Sequence, residues 1–121
     1  MTLRVDTIAD EAGTGPASLT GQIAAKAFCV WAVDGTVANS QNISSVTDNG
    51  TGDWTPNYTS SFDSDNYSPL STAMRESTNV RNTGIANSGI AAGSTQIECD
   101  TDGGSNVDPT EMYMAATGDL A

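Results

Sequence analysis

Large apolar side chains are the scarcest component of this chain, and that scarcity limits what it can fold into. Leu, Ile, Val and Phe supply 19 of the 121 residues, whereas Ser, Thr, Asn and Gly supply 50. A helix bundle needs a broad apolar stripe on every helix, and this composition cannot provide one. So few bulky residues beside a formal charge of −11 would ordinarily mark disorder. Charged residues make up only 16% of the chain, however, too few for a solvated acidic tail. The balance points to short strands joined by many turns, in a domain that borrows core from a partner chain. A length of 121 residues suits one such domain.

The same composition excludes several function classes. Arg4, Lys26, Arg75 and Arg81 are the only bases and cannot neutralise a phosphate backbone, so no nucleic-acid partner is expected. Without histidine there is no Ser-His triad, no His-ligated zinc and no ordinary pH switch. No apolar run reaches membrane-spanning length, so no membrane insertion is expected. The start, MTLRVDTIAD, lacks the basic and apolar regions of a signal peptide. Cys29 and Cys99 lie far apart in strand-like stretches and read as buried free thiols, in keeping with synthesis in a cytoplasm. The N-x-S/T sequons at Asn42, Asn49 and Asn57 read as by-products of the composition.

Two regions follow from the pattern. In residues 1–23, Leu3, Val5 and Ile8 make a weak extended pattern before a loop-like Gly- and Pro-containing stretch. That stretch is too short for its own core and reads as a frayed terminus or as a docking arm ordered by another subunit. Residues 24–121 read as an all-β domain. Its clearest strand is 25–33, apolar on both faces and closed by Asp34-Gly35, a hairpin signal. Strands 41–47 and 54–59 flank the Gly-rich turn 48–53 and form a second hairpin, with Pro56 arguing for an edge or a bulge. Further strands are expected at 67–74, 94–99 and 110–115, with 75–93 a long loop holding at most one irregular strand. This spacing predicts a small antiparallel β-sandwich or barrel-like domain.

One stretch carries a recognisable signature. Asn42-Ile-Ser-Ser-Val-Thr-Asp-Asn-Gly-Thr-Gly-Asp-Trp-Thr-Pro-Asn-Tyr-Thr59 resembles a module of tailed-bacteriophage appendage proteins that reads N-V-S-S-I-T-D-N-G-T-G-D-Y-T-V-N-F. Ala27-Phe-Cys-Val-Trp31 with Asp34-Gly35 matches the aromatic strand and Gly turn that precede it. Asp65-Asn-Tyr67, and Met112-Tyr-Met114 running to Gly118-Asp119, match the segments that follow. Leu3-Arg-Val-Asp-Thr-Ile-Ala-Asp10 with Gly13-Thr-Gly-Pro16 is similar to the attachment end of such proteins. Only residues 42–59 are specific. The chain departs from the pattern at Pro56, where the family has Val, and in the 75–93 loop. The resemblance implies a non-enzymatic structural part of a virion, a short fibre-like homotrimer. Leu3, Val5 and Ile8 would dock it on other virion proteins, tail or capsid subunits. The alternative is a head-decoration or cement protein that stabilises the capsid shell.

Asp100, Asp102, Asn106, Asp108 and Glu111 approach a calcium-loop spacing, but Ser105 stands where the template needs glycine. They read as a turn cluster, and no metal or cofactor is expected. The acids lie mostly in turns rather than paired across a cleft, so no catalytic residue is expected. Trp31, Trp54, Tyr58, Tyr67 and Tyr113 are of the type that stacks on sugar rings, yet most lie in strands. Phe28, Val30, Trp31, Trp54, Tyr58, Met112 and Met114 are assigned instead to the core or a subunit interface. Contact with host surface glycan falls to the loops 34–41, 48–53 and 75–93.

Overall fold

The computed structural model describes residues 24–74 and 80–121, together with Thr2. The proposed arm, with Leu3, Val5 and Ile8, lies outside the described residues. The described chain is all-β, with eight strands and no helix: β1 Ala27–Ala32, β2 Val37–Gln41, β3 Ile43–Gly50, β4 Asp53–Tyr58, β5 Ser68–Ala73, β6 Asn82–Ala91, β7 Ser94–Asp100 and β8 Glu111–Thr117. They form two antiparallel four-stranded sheets, ordered β2-β1-β8-β5 and β3-β4-β7-β6.

Alternation along the inner strands builds the core. In β1, β4, β7 and β8 every second residue is buried. Ala27, Cys29, Trp31, Met112, Met114 and Ala116 from the first sheet meet Trp54, Tyr58, Ile97 and Cys99 from the second. The result is a two-layered, sandwich-like packing in which two indoles and two thioethers supply bulk that leucine usually provides. Both cysteines are free and buried, and burial pushes the Cys29 thiol up to about 11.

Turn chemistry fixes the connections. At the β1–β2 turn the Asp34 carboxylate accepts the Thr36 N–H at 2.9 Å, which holds its pKa below the usual value, and Gly35 takes φ +80°. The chain crosses between sheets at Asn42, which stands at φ +58°. Its side chain accepts the Ser60 N–H at 2.7 Å and donates to the Ser60 carbonyl at 3.0 Å. Asparagine tolerates this left-handed geometry better than most residues.

Three sequence expectations need correction. Residues 41–47 are not one strand, because the Asn42 corner divides them between β2 and β3. The stretch 75–93 is less loop than expected, because the one irregular strand allowed for there is the ten-residue β6. Its alternation is broken because Ile85 pairs with Ile97 while Ile90 pairs with Thr95, and Ser88 in between stands at φ +61°. Pro56 lies in β4, an inner strand, rather than at an edge. The β4–β7 pairing is interrupted beside it, between Trp54–Ile97 and Asn57–Ser94, so the missing N–H falls in a gap of the ladder.

Candidate functional site

Antiparallel pairing places the connections at two opposite ends of the sandwich. One end carries the start of β1, the Asn42 corner, residues 59–67, the β6–β7 turn and the C-terminal residues. The other carries turns 33–36 and 51–52 and the loop 101–110.

The segments of the signature meet at these two ends. At the first end, Tyr58 and Tyr67 both bond the fully buried Thr95 hydroxyl, at 2.5 and 2.6 Å. Burial, partly offset by the Thr95 bond, raises the Tyr58 pKa. Phe62 stacks on Tyr67 at 4.1 Å between ring centres. Gly118 lies so close that a Cβ there would stand 2.6 Å from the Tyr67 Cβ, and Asp63 N–H donates to the Asp119 carbonyl at 2.9 Å. At the opposite end Gly52, at φ +68°, packs its backbone against the 101–110 loop. Its N–H donates to Asp108 at 2.7 Å and its carbonyl accepts the Cys99 N–H at 2.8 Å. A Cβ on Gly52 would lie 2.6 Å from the Cys99 carbonyl oxygen. These residues are architectural in what they touch.

Of the acids in the 100–111 stretch, Asp108 follows the same rule. Asp108 is committed to Gly52, and the Asp100–Asn106 bridge closes the loop on itself. Among the described residues no group of three metal-ligating side chains comes together.

The two outer faces differ in chemistry. On the second sheet the Asn57 amide donates to Ser45 and Thr47, at 3.2 and 3.1 Å. The Asn49 amide donates to Asp53 and Thr55, at 3.0 and 2.8 Å, and Gln96 donates to both Asp53 carboxylate oxygens. That face is a self-satisfied hydroxyl and amide ladder.

The outer face of the first sheet is largely apolar along β1, β8 and β5, while β2 adds Asn39 and Gln41 at one edge. Register aligns Phe28, Ala115 and Leu70 in one row, and Val30, Tyr113 and Thr72 in the next. Leu70 is 69% exposed. Beside it lies a hollow of about 360 Å³ lined by Leu70, Ser71, Thr72, Tyr113, Met114 and Ala115. Partial desolvation and the neighbouring Glu111 carboxylate raise the Tyr113 pKa.

The candidate residues therefore separate. Trp31, Trp54, Tyr58, Met112 and Met114 are core, whereas Phe28 and Val30 lie half-buried on the apolar outer face. Of the aromatics considered for sugar stacking, the two tryptophans and Tyr58 are buried, Tyr67 is packed on Phe62, and Tyr113 stands on that same face. Of the candidate loops, 37–41 and 82–91 are strands, and 75–79 lie outside the described residues. Leu70 was the residue that sequence reasoning missed. The signal lay in cross-strand alignment rather than in its own strand. No protein-family model, curated protein or solved structure matches this chain.

Proposed function

We propose that this chain is a non-enzymatic structural component of a tailed-phage virion, a short fibre-like homotrimer anchored by residues 1–23. The observation that carries this reading is the contrast between its two outer faces. A chain so poor in bulky aliphatics leaves Leu70 on an apolar sheet face, beside Phe28 and Val30, while the opposite face is a closed polar ladder. An apolar face on one side and a polar one on the other suit a subunit that packs against others and displays the rest. The signature segments support the same reading, since their residues lock turns and ends of the sandwich. The turns 33–36 and 51–52 and the loop 101–110 lie at the end remote from the start of β1, and there the domain meets the host surface and its glycans.

Removal of residues 1–20 tests anchoring. The truncated protein should remain a folded oligomer and disappear from purified particles. A truncated protein that still enters particles at the full-length copy number overturns the anchoring role.

A further inference from the structure

We infer that copies of this chain meet through the outer face of the first sheet, with Leu70 of one copy seated in the hollow beside Leu70 of the next. The inference rests on the homotrimer proposed above and names its surface.

Economy of apolar residues is the first reason. Leu70 and Leu120 are the two leucines among the described residues, and both are exposed. The core instead uses tryptophan, methionine and cysteine. Leu70 rises from the edge strand β5, and its row continues through Ala115 to Phe28. The depression that Leu70 borders lies over the β5–β8 pairing, with Tyr113 and Ala115 on its β8 side. With a projection and a depression side by side, Leu70 of one copy can enter the hollow of one neighbour while its own hollow receives Leu70 of the other, the head-to-tail contact that closes a ring.

Charge decides the occupant. The chain carries −11, so two copies repel wherever their carboxylates face each other. The outer face of the second sheet carries Asp53 directly opposite Glu98. Asp34, Asp102 and Asp108 lie at one end of the sandwich and Asp63, Asp65 and Asp119 at the other. The two rows around Leu70 contain no charged residue, and Lys26 and Glu111 border them at opposite ends. Identical copies can approach there without stacking like charges.

Size then favours a ring over a pair. Strands about 4.8 Å apart and about 3.4 Å per residue give a four-stranded, six-residue face only a few hundred Å² of area. A stable two-body contact uses roughly 800 Å² per partner. A ring divides this face between two neighbours, and its closure means that a departing subunit must break both contacts at once.

The experiment is light scattering on size-separated full-length protein, comparing wild type with Leu70→Glu, Thr72→Glu and Val80→Glu. Leu70 and Thr72 are exposed on the face, whereas Val80, 53% exposed, lies off it. Circular dichroism confirms that each variant is folded, and the two face variants guard against misfolding of either one. Wild type and Val80→Glu should have three times the mass of one chain, and folded Leu70→Glu and Thr72→Glu the mass of one. A wild type of one-chain mass at every concentration overturns the homotrimer and this inference together. Face variants that keep the threefold mass overturn the inference and leave the homotrimer standing. A monomeric wild type that enters particles when Leu70→Glu does not assigns the face to another virion protein, which also contradicts the inference.

Discussion

Trp31 and Trp54 meet edge to face across the two sheets, 6.4 Å between ring centres, yet their N–H groups have different surroundings. Trp54 donates to the Val33 carbonyl at 2.9 Å and so ties the β1–β2 turn to the second sheet. The Trp31 N–H is buried with no protein acceptor. Replacing Trp54 by Phe strands the Val33 carbonyl, whereas replacing Trp31 by Phe removes an unsatisfied donor. In urea unfolding, Trp54→Phe should therefore cost about 1 kcal/mol more than Trp31→Phe, despite the equal change in volume. Cys29 supplies a pH signature. Its thiol has an ordinary value of 9.0, which burial raises to about 11 in the folded protein. The raised folded value means that its contribution is complete below pH 9 and is lost as pH rises towards 11. Over that window the unfolded chain releases a proton that the folded chain retains, so stability falls by up to about 1.4 kcal/mol per pH unit. Cys29→Ala should flatten the stability profile between pH 9 and 10 by about one proton, and an unchanged slope would contradict the assignment.

Among the elements, the hairpin of β3 and β4 shows why the glycine spacing of the signature matters. Gly50 turns the strand at φ +128°, and Gly52 brings the turn against the Cys99 carbonyl and Val107 N–H with no room for a side chain. Gly52→Ala should cost about 1–3 kcal/mol from backbone strain, with the steric conflict added, read as a lower urea midpoint. Gly50→Ala meets no atom within 4 Å and bears only its backbone penalty. The smaller loss expected at Gly50 separates crowding from conformation. The inner strands β4 and β7 were legible because alternation of apolar and polar residues reports burial directly, and β1 because it is a short continuous apolar run closed by Asp34-Gly35. The edge strand β2, Val-Ala-Asn-Ser-Gln, carries no such alternation, since it is held by its pairing to β1 after the Asp34-Gly35 turn. The edge strand β6 was hidden by its bulge, which shifts Ile85 and Ile90 out of step. In β5 the largest residue points outward, so the apolar face around Leu70 emerges only when β1, β8 and β5 are aligned.

At the scale of the whole molecule, the sandwich has a direction. β1 begins at the end closed by Tyr58, Phe62, Tyr67 and the isolated bridge of Phe62 with Leu120. The opposite end carries the acidic turns, and the two sides differ as apolar and polar sheet faces. This fits a subunit held at one end, packed against its copies along one side and presented to solvent elsewhere. The most direct measurement of that account is the number of copies per purified virion, by quantitative mass spectrometry against the major capsid protein. A fibre-like homotrimer predicts a few to a few tens of copies, in multiples of three. Hundreds of copies would instead make the chain a cement of the capsid shell, and absence from the particle would contradict the virion role itself.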